Sequence, residues 1–280
     1  MKTPTRLFAF VLALALAACA GVPGGGDDVS AGRIEIERVV SPGGIEAWLV
    51  SEPAIPIIAV EAGFEGGAAS DPEGQAGLTA LMTATVTEGA GPYASEAFQR
   101  RLQELNMSLT ASVGRDATLV SMRTLSRNRD AAFEMLRLAV SEPRFDEADV
   151  ARVRDQLVVG LRRSEQSPRF IAGRTLWARM FPDHPYGRPV NGTPDTVAGL
   201  TQEAVAERHG AAFAKDALRI AVVGDIDAAT LGPLLDETFG ALPAASGLPT
   251  VSEAAATADG AIAVEPFSAP QSAILFAAPG

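Results

Sequence analysis

A chain of 280 residues that is 47% apolar and 20% charged can bury a sizeable core, as one large domain or two small ones. Its formal charge of −11, its pI near 4.7 and its scattered Lys and Arg exclude a nucleic-acid binder, which needs a basic face. The single cysteine excludes an internal disulfide.

Residues 1–18 read as a signal peptide: Lys2 and Arg6 precede an apolar run from Leu7 to Ala18 that is too short to span a bilayer comfortably. Leu16-Ala17-Ala18-Cys19 looks like a bacterial lipobox, in which Cys19 becomes the lipid-bearing first residue of the mature chain. Ala18-Cys19-Ala20 also fits an ordinary signal-peptidase site; the lone cysteine favours lipidation. Residues 19–32 are glycine-rich, as a flexible tether should be. The expectation is an exported, periplasmic protein that meets the membrane through its lipid anchor only. Ala20 is compatible with outer-membrane sorting.

Strands and helices then alternate. "RIEIERVV" and "GIEAWLVSE" alternate apolar and polar residues around Pro42-Gly43-Gly44 and predict a hairpin. "IPIIAVEAGF" is a more continuous apolar run, as in a buried strand. After a Gly/Asp/Pro loop comes a helix, "GLTALMTATVTEG", ending at Gly89. At about 100° per residue, Leu78, Leu81, Met82 and Val86 share its core side, and Ala80, Thr83, Ala84 and Thr87 the opposite one. Ser95 can cap a second helix with Phe98, Leu102 and Leu105 on one face. "MSLTASVGRDATLVSMRTL" predicts two strands turning at Gly114-Arg115-Asp116, and Ser126 or Asn128 begins a third helix. Residues 146–165 form a long helix carrying Val150, Val153, Leu157 and Leu161, and Pro168 opens another. "PDHPYGRPVNGTPDT" is a rigid loop, followed by a helix near residues 201–214, the strand "ALRIAVVGDID" and the helix "AATLGPLLDETFG". Residues 241–260 form a Pro/Ala/Gly-rich linker, and "AIAVEPF" and "SAILFAAPG" are strand-like. This order predicts an α+β two-layer sandwich, a mostly antiparallel sheet with helices on one face.

The helix at 78–89 poses a chemical question. Positions 80 and 84 are one turn apart, where two side chains can grip a metal, yet both are alanine. "GLTALMTATVTEGA" resembles, without a gap, the G-L-A-H-x-L-E-H-x-x-x-x-G-[TS] helix of the pitrilysin/insulinase zinc peptidases, the family that includes the mitochondrial processing peptidase. That family's H-x-x-E-H supplies two zinc-binding histidines and a glutamate base. By the resemblance, the histidines fall on Ala80 and Ala84 and the glutamate on Thr83. "FDEADVARVRDQLVVGLRR" is similar to the later helix that carries the third ligand, a glutamate, whose place is Gly160. "HPYGRPVNGT" and "LRIAVVGDIDAATLGPLLDETFGALP" are similar to further family segments, so the resemblance runs from about residue 33 to 280.

The resemblance implies a LuxS/processing-peptidase-like sandwich over residues 33–240, with residues from about 195 assignable to the family's C-terminal-type domain. Residues 261–280 would be the first strands of a second, homologous half that is almost entirely missing. With all four chemical positions blank, it implies a non-catalytic subunit that binds no zinc itself. Such a subunit pairs with a zinc-loaded active member and helps enclose peptides. A stand-alone peptide- or protein-binding lipoprotein, or a peptidase with relocated catalytic residues, are the other readings. Of the remaining polar residues, His184 reads as a loop-fixing residue and His209 as a solvated or half-buried one. Trp48 and Trp177 read as core or interface residues. "VVGDID", with one glycine, is a turn rather than a phosphate loop, and no G-x-S-x-G elbow supports a Ser-His-Asp site.

Overall fold

The computed structural model describes residues 35–257, 260–268 and 270–278. The leader, the lipobox with Cys19 and the tether lie outside the described residues. Six strands form one sheet: β1 (Glu37–Val40), β2 (Glu46–Ser51), β3 (Ile57–Glu65), β4 (Ser108–Val113), β5 (Ala117–Leu125) and β6 (Leu218–Gly224). Their order across the sheet is β1-β2-β6-β3-β5-β4. The β2–β6 pair is parallel and the other pairs are antiparallel, as the expectation of a mostly antiparallel sheet required.

Period-two alternation decides which side of the sheet is the core. Ile58, Val60, Ala62 and Phe64 of β3, Val120 and Met122 of β5, and Ile220 and Val222 of β6 are all buried on one face. The described residues also form eight helices: α1 (Leu78–Thr85), α2 (Ser95–Glu104), α3 (Arg129–Ser141), α4 (Glu147–Ser164), α5 (Pro168–Met180), α6 (Pro194–Ala198), α7 (Gln202–Ala212) and α8 (Ala228–Phe239). α3 packs on β5 and α8, α8 on β1, and α1 on β4, α4 and α7. The opposite face carries Glu61, Ser121 and Arg219, with Trp48 53% exposed among them. β3 is therefore buried on one face only, and Trp48 is not a core residue. Small side chains on its outer face, Ala59 and Gly63, made β3 look continuously apolar in the sequence.

Several local expectations change. Ser95 is the first helical residue rather than the cap, which is Ala94; its hydroxyl donates instead to Glu88, 2.9 Å away. The rigid loop after Pro182 includes a short helix, α6, closed at its start by a capping box between Thr193 and Thr196. The helix at 78–89 stops at Thr85, where threonines at 83 and 85 bond back to the carbonyls of Thr79 and Leu81. In "VVGDID", Gly224 has φ 135°, and a Cβ there would lie 2.0 Å from the Ile57 carbonyl oxygen, so the glycine serves a close strand approach. Asp227 accepts from the Thr230 N–H at 2.8 Å and caps α8.

The linker is laid against the domain rather than free. Pro243 accepts from the Lys215 N–H, Ala211 from the Gly247 N–H and Met180 from the Thr257 N–H, at 2.8–3.0 Å. The strand-like residues 261–268 and 270–278 form no strand. Most of their apolar side chains point to solvent, with Ile262 89%, Ile274 81% and Phe276 92% exposed, while Leu275 is half-buried. Alternation alone makes no strand: the ladder needs a neighbouring backbone, and none of the described sheet edges supplies one there.

Candidate functional site

α1 lacks a side chain of its own at the N-cap, where Gly77 sits at φ 94°. Asp71, in the loop before it, does that work from a distance. Its carboxylate accepts from the backbone N–H of Gly77 and of Thr79, each at 3.0 Å, and from the Thr79 hydroxyl. Arg208 of α7 lies beneath, 3.7 Å from the Asp71 carboxylate. Its guanidinium donates to Thr79 Oγ1 (2.8 Å), Ser70 O (3.0 Å), Gly67 O (3.1 Å) and Ser70 Oγ (2.7 Å). Burial holds the Asp71 carboxyl above its usual range although Thr79 and Arg208 pull it down, and burial also lowers Arg208. This network fixes the start of α1. Sequence reading missed it, because Asp71 precedes the cap by several residues and Arg208 arrives from a remote helix.

α1 and α4 pack together, so the four blank positions come from neighbouring helices. At the far end of α1, Glu88 accepts from Arg152 of α4 at 2.6 Å, and Arg152 also holds Asp149 at 2.9 Å. The face of α1 that carries the blanks is largely closed: Ala80 is 5% and Thr83 3% exposed, and Ala84 is half-buried. Side chains this small let the surrounding elements close over the helix. The Thr83 hydroxyl donates to the Thr79 carbonyl at 2.6 Å. Gly160 on α4 is exposed, and a Cβ there would meet nothing within 4 Å. Two methyl groups, one hydroxyl already engaged and one hydrogen atom offer zinc no ligand set, so these residues do not fit the metal. Among the described residues, no group of three or more His, Cys, Asp or Glu side chains could hold a metal ion.

The remaining polar residues serve the architecture. His184 Nδ1 accepts from the Tyr186 N–H at 3.1 Å, so Nε2 carries the proton and donates to the Ser252 carbonyl at 3.0 Å. It fixes its loop, as expected, and fastens the linker to it. Tyr186 donates its hydroxyl to Asp116, which raises the phenol's pKa. Arg115 stacks over Trp177, 3.5 Å from the ring centroid, and Trp177 stacks on Phe181. His209 corrects the solvated or half-buried expectation: it is only 9% exposed. The ring lies against Phe213 and Phe145 and donates Nε2–H to the Val140 carbonyl at 3.1 Å. Burial pushes its pKa down to about 4, so it is neutral at pH 7. Both histidines bond to backbone groups, and neither bonds to a serine hydroxyl among the described residues.

The fold defines a class, an α+β two-layer sandwich in which α1 and α4 pack side by side. Comparison with known proteins makes the family specific. Residues 49–194 match the model of the insulinase family, peptidase family M16, and the chain belongs to that family. An uncharacterized zinc protease of Mycobacterium leprae is 23% identical over 222 residues, 79% of this chain and 49% of that protein. The non-peptidase homolog YmxG of Helicobacter pylori is 20% identical over 61% of this chain and 40% of its own length. The chain thus spans about half the length of the curated relatives it matches, or somewhat less. Among solved structures, the peptidase M16 inactive domain from Pseudomonas fluorescens superposes with a TM-score of 0.74 at 22% identity, covering 79% of this chain and 54% of that one. Pitrilysin gives 0.68 at 20% identity, covering 80% and 24%. An inactive domain and a non-peptidase homologue thus stand among the proteins this chain is similar to.

Proposed function

We propose that this chain is a non-catalytic subunit that pairs with an active zinc peptidase of its own family. It supplies cavity wall and peptide affinity while zinc and chemistry stay on the partner. One observation carries this reading: α1 and α4 keep their packing, their Glu88–Arg152 tie and the Asp71–Arg208 anchor while every ligand position is blank. A scaffold retained without its chemistry is fit for binding. Export and a lipid anchor at Cys19 would place the subunit in the periplasm, on the outer membrane. The test is purification of tagged chain from the native envelope in mild detergent. A zinc peptidase of the same family should come with it. Recovery of the chain alone would remove the subunit reading.

A stand-alone peptide-binding module is the second reading, and the position of β4 favours it. Among the described residues, β4 is an edge strand that packs beside α1 and pairs only with β5. Its outer N–H and C=O groups can take an extended peptide as a further strand, next to the blank positions. Both readings therefore share one physical act, the binding of a peptide along this edge.

A further inference from the structure

We propose that the cavity between the first hairpin and the start of β6 binds a small aromatic acid, whose ring lies on Trp48 and whose carboxylate is held by Lys215. The cavity follows from the topology. β2 and β6 run parallel, and their ladder begins only where Ala47 stands opposite Ile220. Before that point each backbone has a partner of its own. The Ser41 N–H donates to the Ile45 carbonyl at 2.8 Å and closes the turn that leads into β2. The Lys215 N–H donates to the Pro243 carbonyl at 2.9 Å and ties down the segment that leads into β6. The fork between them holds a cavity of about 450 Å³, a volume within the range of small-molecule sites. Buried Ile45, Leu218 and Ile220 line it with apolar surface, and no residue of α1 or α4 takes part.

Two side chains that line this cavity lack the partners such groups usually find. Trp48 is half-exposed, and its neighbours across the ladders are Arg38 and Ala221. Arg38 turns its guanidinium to Glu46, donating from Nε at 3.1 Å, and Ala221 offers one methyl group. Among the described residues no ring or cation stacks on this indole, whereas Trp177 has both Arg115 and Phe181. A bare indole beside a cavity is a flat apolar surface that another ring can cover. Lys215 is the only lysine besides Lys2. Its ammonium donates to the Gly240 carbonyl at 3.1 Å and has no carboxylate within 4.0 Å among the described residues. An ammonium carries three donors, so two are left for a ligand. The other charges that line the cavity are already matched, Arg38 by Glu46 and Arg219 by Glu65. Asp216 and Asp236 lie outside the lining and accept from the N–H groups of Ser246 and Gly43, each at 2.9 Å. One unmatched cation beside one uncovered aromatic face selects a planar monoanion. A cationic ring meets Lys215 as a like charge, and an aliphatic acid leaves the indole bare.

The test is an NMR titration of the purified protein with naphthoate, with naphthalenemethanol, which lacks the charge, and with cyclohexanecarboxylate, which lacks the aromatic ring. Naphthoate should bind with a Kd below about 1 mM, and each of the other two at least about tenfold more weakly. Isotope-labelled reductive methylation keeps the charge of Lys215. Its methyl signal, identified by its loss in Lys215→Met, should shift as naphthoate is added. Lys215→Met should bring the acid down to the affinity of the alcohol, and Trp48→Leu should weaken both naphthalenes by about tenfold. Both side chains are exposed, and thermal melts check that the variants fold. The same chemistry occurs at the end of a polypeptide, so N-acetyl-Ala-Phe is titrated alongside. Tighter binding than naphthoate assigns the site to chain ends and weaker binding to free acids, and both keep the ring-and-carboxylate chemistry. Equal binding of acid and alcohol by the unaltered chain overturns the proposal. So does a Lys215 signal that naphthoate leaves unmoved, naphthoate binding that survives Trp48→Leu, or binding of none of the probes. None of these results touches the pairing with a zinc peptidase, which rests on α1 and α4.

Discussion

Replacing Arg208 with methionine tests what holds the helix at the heart of the site. The substitution keeps an unbranched apolar stem and deletes the guanidinium. Four hydrogen bonds of 2.7–3.1 Å disappear, leaving Ser70 O, Ser70 Oγ, Gly67 O and Thr79 Oγ1 without that donor. At about 1 kcal/mol each, that is about 4 kcal/mol. A second route agrees: breaking a buried ion pair by removing one partner costs about 3–5 kcal/mol. The pH dependence carries the more specific signature. Burial raises Asp71 above its unfolded value of 3.8, so stability tied to its protonation is present below that pH and is lost as pH rises through the folded pKa. Arg208 opposes the rise, and its removal drives the folded pKa higher. Urea unfolding followed by circular dichroism should show a loss of about 3–5 kcal/mol near pH 7.5 and a smaller loss at low pH, where Asp71 takes up a proton. A loss below about 1 kcal/mol, or one that is the same at both pH values, would refute the charged anchor.

Other expectations follow from the same structure. His209, with a folded pKa of about 4 against 6.5, should cost stability as pH falls from 6.5 toward 4, by about 3 kcal/mol in total. A His209→Gln variant should flatten that slope in urea titrations, and an unchanged slope would place the proton elsewhere. Gly160→Ala adds a Cβ that meets nothing within 4 Å in an exposed helix interior, so it should raise stability by about 0.5–1 kcal/mol in thermal or urea unfolding. Destabilisation would show the space to be filled. Restoring the family's residues with Ala80→His, Thr83→Glu, Ala84→His and Gly160→Glu should give a chain that retains about one zinc per molecule through desalting, while the unaltered chain retains none. Stoichiometric zinc on the unaltered chain, measured by elemental analysis, would contradict the assignment of these four positions.

The legible parts of this fold are the local ones. Hairpin β1–β2 follows from alternation around Pro42-Gly43-Gly44, and α4 from the spacing of Val150, Val153 and Leu161, all buried. The site was legible as a set of vacancies, because a helix one turn of which carries Ala80 and Ala84 can be compared with a ligand pattern residue by residue. What the sequence hid depends on distant partners. Nothing local says that Arg208 reaches Ser70 or that Asp71 caps a helix beginning at Leu78. The burial of His209 is hidden too, because its helix period does not reveal that the aromatic rings of Phe145 and Phe213 pack on it. The tail residues Ile262 and Phe276 alternate like a strand, and only the backbone beside them decides whether a ladder forms.

The placement of β6 bears on how the chain reaches its native state. Residues 218–224 slot between β2 and β3, so the amino-terminal hairpin and the β3–β5–β4 group share no ladder of their own. Without β6, the two sheet fragments would have unpaired inner edges, each able to recruit a foreign strand. The central seam closes over a long sequence separation, which slows folding. For the same reason the family-matched stretch, residues 49–194, is a recognisable signature but lacks the keystone that would let it stand by itself.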